Sequence, residues 1–124
     1  MKNWPSSIWQ VASIEHEPHA SLMNWRVFEV RLKADAPHTI HLVGYAIEAR
    51  EGRVSSAIQA FDLDKMLVRT TSDRIYWLRG EPGYDGRAEF VWREWLVATG
   101  ATLIDEVTQT LTEHASRRPP TCGV

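Results

Sequence analysis

Apolar and polar residues alternate over much of the first two-thirds of the chain, and beyond residue 85 the apolar spacing changes to that of a helix. Residues 7 to 15 set Trp9 and Val11 against Ile8, Ala12 and Ile14, which predicts a first strand. A polar loop with Pro18 leads to a second strand over Trp25 to Lys33. There Phe28, Val30 and Leu32 face one way and Trp25, Val27, Glu29, Arg31 and Lys33 the other. Pro37 ends that strand, since proline cannot donate to a ladder, and Thr39 to Ile47 forms the third. Glu48 to Gly52 reads as a hairpin loop whose glycine supplies the left-handed conformation. A fourth strand follows over Arg53 to Phe61, with small residues Ser55-Ser56-Ala57 at its centre. A second hairpin covers Met66 to Leu78 and turns near Ser72-Asp73. A two-residue turn there pairs Val68 with Trp77 and Thr70 with Ile75.

Two helices complete the pattern. Asp85 is a good N-cap for Gly86 to Thr99, in which Ala88, Val91, Trp92, Trp95 and Leu96 recur at helical spacing, and Gly100 ends it. Thr102 with Asp105 resembles a capping box, opening a second helix to about Ala115 with Ile104, Val107 and Leu111 inward. The expected fold class is therefore α+β: an antiparallel sheet of five or six strands with two C-terminal helices packed on one face. Residues 1–116 read as a single domain and residues 117–124 as a flexible Arg/Pro-rich tail.

Composition narrows the function classes. The 124 residues are 44% hydrophobic and 24% charged, as in an ordinary globular domain, and the formal net charge of −2 argues against wholesale wrapping by nucleic acid. A single cysteine, Cys122, excludes an internal disulfide and a multi-thiolate metal site, and fits a reducing, cytoplasmic setting. No run is long and apolar enough for a membrane span. Six tryptophans are many for this length, and each needs either a large core pocket or a contact surface.

Four candidate chemistries follow from residue spacing, and three weaken on inspection. His16 with His19, and His38 with His41, have HxxH spacing suited to zinc, but a meander puts the pairs on the order of 25 Å apart. Gly80 to Gly86 lies where phosphate loops lie, yet its glycine spacing is wrong and Glu81 and Asp85 repel an anion. Asp62 and Asp64 with Lys65 resemble the carboxylates of a metal-dependent nuclease or hydrolase, with His38 or His41 as helpers. The same residues also suit a solvated turn. The fourth candidate is arginine beside aromatics: eleven of the fourteen basic residues are arginine, and several flank rings.

Gly52-Arg-Val-Ser-Ser-Ala-Ile58, Phe61-Asp62, Thr71 through Gly83 and Glu89-Phe-Val-Trp92 resemble small uncharacterised proteobacterial proteins, often carried on mobile elements or prophages. That resemblance implies an accessory protein, including inhibitors of host defence, and assigns no residue a role. The sequence thus leads to a non-enzymatic binding module. It engages a protein, or a protein with nucleic acid, through Trp25, Arg31, Arg69, Tyr76 and Arg79, and it has no catalytic set, cofactor or metal. The alternatives are the Asp62/Asp64 enzyme and a homo-oligomer joined by exposed tryptophans.

Overall fold

The computed structural model describes residues 13–117. Its elements are β1 (His19–Arg31), β2 (His38–Ala46), β3 (Glu51–Val54), β4 (Ile58–Asp62), β5 (Leu67–Thr70), β6 (Ile75–Arg79), α1 (Gly86–Thr99), β7 (Thr102–Glu106) and α2 (Thr108–Arg117). The α+β class stands, but the sheet is mixed. Its order is β3-β2-β1-β6-β5-β4, with β7 also on β1, and β1 runs parallel to β6. The curl of the sheet brings β4 back against β2.

β1 is the organising strand, and its thirteen residues are too long for any one neighbour. One edge pairs with β2. Along the other edge three segments take the backbone groups in turn. β6 pairs with His19 to Met23, Gly83 N donates to Trp25 O, and β7 pairs with Phe28 to Arg31. Between β6 and β7, Val107 N donates to Val27 O and Thr108 Oγ1 accepts from Val27 N. A bulge between Met23 and Arg26, where Asn24 has φ of 50°, makes this handover possible. It also puts Leu22 and Trp25, three residues apart, in the same core cluster.

Two cores result. The first holds Ala20, Leu22, Trp25, Val27, Leu42, Val68, Tyr76 and Leu78, with Val107 and Leu111 of the α2 region packed on it. The second holds Phe28, Val30 and Val43 against Ala88 and Trp92 of α1. The two helices therefore cover opposite faces, not one, and β7 separates them in the chain.

Other expectations change for identifiable reasons. Residues 7–12 of the predicted first strand lie outside the described residues, and Ser13 to His16 form a turn, with His16 N and Glu17 N both bonded to Ser13 O. The predicted fourth strand is two strands, because Ser55 turns inward and its Oγ accepts from Leu42 N. The second hairpin slips by one residue, so that Leu67 opposes Trp77 and Arg69 opposes Ile75. Asp73 has φ of 72° and its N–H bonds Thr70 O, which makes a three-residue loop in place of a two-residue turn. Gly52 is not the left-handed residue of its loop; Arg50 is, with φ of 57°. Thr102 to Glu106 is a strand and not a helix start, since β1 offers those residues a free edge. Predicted and observed α1 coincide, with the Asp85 cap and the left-handed Gly100 in place.

Candidate functional site

The five residues singled out in the sequence do not form one surface. Trp25 is 1% exposed, with Nε1 donating to Gly80 O at 3.1 Å and its ring tilted on Phe61. Tyr76 is 2% exposed and lies beside the guanidinium of Arg53. Arg69 and Arg79 are exposed and Arg31 half-buried. Arg79 lies beside Met23 and Arg31 eight residues further along β1, roughly 26 Å by strand rise. In the slipped hairpin Arg69 opposes Ile75.

The other candidates are drawn into local structure. Asp62 Oδ1 accepts from Lys65 N, which is turn chemistry. His16 Nδ1 is 2.8 Å from Ser13 Oγ, His19 stacks on Trp77, and His38 meets Glu29 at 2.6 Å. Among the described residues no group of three His, Cys, Asp or Glu side chains is arranged to hold a metal ion.

His41 is a structural tie. Burial lowers its pKa below the ordinary imidazole value, and the bond to Ser55 O opposes that only in part. Its Nδ1 lies 2.8 Å from that carbonyl, which can only accept, so Nδ1 carries the proton. Nε2 then accepts from Thr39 Oγ1 at 2.8 Å, and the ring packs on Trp95. An unfolded chain takes up a proton below about pH 6.5, where folded His41 resists it. Stability is therefore complete above that pH and falls as pH drops through it. Urea unfolding from pH 7.5 to 5.5 should show this fall, and His41→Gln should flatten it. Equal slopes in both proteins would rule His41 out as the cause.

Arginine and aromatic residues do gather, but along α1. The helix forms because Asp85 accepts from Arg87 N and Ala88 N at 2.9 and 3.1 Å, and Ala88, Val91 and Trp92 turn inward. Trp92 stacks on Phe28 at 4.6 Å and on Trp95 at 5.5 Å. Phe90, Arg93 and Val97 follow i, i+3, i+7 spacing on the outer side, and Tyr84 precedes the helix. Arg26 binds the flank together: its guanidinium lies over the rings of Phe28 and Tyr84 at 5.0 and 5.3 Å and meets Glu89 at 2.6 Å. Glu89 also holds Arg93 at 2.9 Å, while Arg87 bonds Asp85 and covers the Tyr45 ring at 3.9 Å. Burial would raise the pKa of Glu89, but Arg26 and Arg93 outweigh it and hold the carboxylate below its usual range.

This band was missed in the sequence although a signal existed. Phe90 and Val97 are large apolar residues out of phase with the buried side of their own helix. No family model, curated protein or solved structure matches the chain.

Proposed function

We propose that this chain is a non-enzymatic binding module that holds another protein on the outer flank of α1. One observation carries the reading. Val97, Tyr84 and Phe90 are 80%, 65% and 55% exposed, the highest values among the exposed large hydrophobic side chains of the described residues, and all three belong to α1 or its lead-in. Scattered exposed apolar residues need no explanation, whereas a contiguous band interleaved with arginine has the composition of an interface. A protein partner fits better than nucleic acid. Arg26, Arg87 and Arg93 each already hold a carboxylate, and the net charge of −2 gives no general attraction for phosphate. Such a module acts by occupancy, the mode of an accessory or inhibitor-like protein.

The test is capture from a bacterial lysate on immobilised protein, with and without nuclease. A nuclease-resistant partner is expected, and Phe90→Glu should weaken its retention about thirtyfold, a hot-spot effect. Arg69→Ala should retain it fully. Capture that survives both Phe90→Glu and Val97→Glu, in proteins with unchanged circular dichroism, would place the interface elsewhere. If the captured species is the chain itself, its solution mass will double and the partner is a second copy.

A further inference from the structure

A groove of about 250 Å³ opens between the loop from β6 to α1, the turn from β4 to β5 and α2. It is lined by Trp25, Leu63, Met66, Gly80, Glu81, Pro82 and Thr112. Trp25 forms its floor, fixed by the bond from Nε1 to Gly80 O, so the groove is built on an immobile ring. The walls are apolar: Leu63, Met66 and Pro82. Glu81 is exposed on the rim, and among the described residues no ion pair or hydrogen bond engages its carboxylate.

Size and charge together select an occupant. The groove is small, close to the roughly 300 Å³ at which sites for drug-sized ligands begin. It suits one long side chain. Glu81 is the charged residue among those that line the groove, so its surroundings favour a cation. A lysine or arginine side chain lays its methylenes on apolar walls and keeps its charged head at the rim, which is the arrangement this groove offers. The groove lies on the α2 side of the sheet, and its Pro82 is two residues in the chain from Tyr84, at the lead-in of α1 on the other side.

We propose that this groove receives one basic side chain, a lysine or arginine, of a protein partner. The proposal rests on the binding-module reading and names one side chain that a partner presents, apart from any contact with Phe90 and Val97.

The test needs no partner. The full chain is titrated by NMR with the Nα-acetyl methylamides of lysine, arginine and norleucine, following the Trp25 indole N–H and the Met66 methyl. The lysine or arginine amide should shift both signals along a saturable curve, and the neutral norleucine amide should not. Glu81→Gln should weaken binding about tenfold while leaving the spectrum folded. Norleucine binding as well as lysine, an unchanged affinity in Glu81→Gln, or signals that do not move would each overturn the proposal. Failure here leaves the α1 reading standing if Phe90→Glu still weakens capture. Loss of the α1 reading shows instead as capture indifferent to Phe90→Glu, whatever the amides do.

Discussion

Arg53→Ala is expected to lower the unfolding free energy by about 3–5 kcal/mol, a large share of the roughly 5–15 kcal/mol of an ordinary domain. Arg53 lies on β3 opposite Gly44 and is 1% exposed. Its guanidinium donates to Glu17 at 3.0 and 3.4 Å and to Glu51 at 2.8 Å, and Tyr76 adds a further bond. Burial disfavours the charge, and these acceptors hold it in place. Arg74 shares the anchor, donating from Nε to Glu17 O at 2.8 Å and lying 3.8 Å from Glu17 Oε1.

Removing Arg53 takes its closer guanidinium from the Glu17 carboxylate, whose side chain is only 14% exposed and which keeps Arg74 at 3.8 Å, whereas Glu51 is 39% exposed and can turn to water. The main loss therefore runs through Glu17. Arg53→Met keeps most of the volume but not the donors, so it should cost nearly as much as Arg53→Ala. Adding Glu17→Gln to Arg53→Met removes the under-compensated charge and should restore part of the loss, because the penalty belongs to a buried ion that has lost its closer partner and not to a missing contact. Urea unfolding followed by tryptophan fluorescence, at constant m, measures each step. A loss below about 1 kcal/mol in Arg53→Ala would mean that the network is energetically neutral.

How far the fold was legible depends on whether a segment's structure was decided locally. α1 was, because its cap, its period and its terminating glycine all lie within residues 85–100. β2 was nearly so, with its turn-flanked alternation over residues 38–46. β1 was not. Its first half, His-Ala-Ser-Leu-Met-Asn, alternates weakly, and the bulge at Asn24 moves the core face from positions 20 and 22 to positions 25 and 27. The period-two reading holds from Trp25 onward, with Trp25 and Val27 in one core and Phe28 and Val30 in the other, but it cannot be carried back across that shift. The parallel pairing of β1 with β6 joins segments more than fifty residues apart, beyond any rule that pairs sequential strands. Thr102 to Asp105 fits a capping box and a strand equally well, and a free edge on β1 decides.

The site follows the same division. The residue types of an arginine and aromatic interface were readable. Their exposure was not, because Trp25 and Tyr76 are buried by the curl of the sheet, a tertiary property. Phe90 and Val97 were the local clue, since a helix whose inward face is already filled has no core use for them.

Gly52→Ala should destabilise the protein by about 3 kcal/mol, the upper part of the range for overpacking, and Gly44→Ala by clearly less. Both are strand glycines without unusual backbone angles, so the difference lies in what an added Cβ meets. At Gly52 it would come within 2.5 Å of Arg87 O, 2.7 Å of Ala88 Cα and 2.8 Å of Arg87 C, all backbone of the first turn of α1. That turn cannot yield on its own. It is held by the Asp85 cap on one side and by Ala88, at 1% exposure, against the second core on the other. Relief requires moving α1 off β3, which loosens Trp92 from Phe28 and shifts the Phe90, Arg93 and Val97 flank with it. At Gly44 the closest atom, at 2.6 Å, is the end of the Leu22 side chain, which can change rotamer, although Met23 O at 3.1 Å leaves some strain. Thermal unfolding of the two variants tests the ranking, and near-ultraviolet circular dichroism tests its cause. Gly52→Ala should lose tryptophan signal from the Trp92 and Trp95 stack before it unfolds, and Gly44→Ala should not. If Gly52→Ala is as stable as the parent, the close approach of β3 to α1 is not a constraint on this fold.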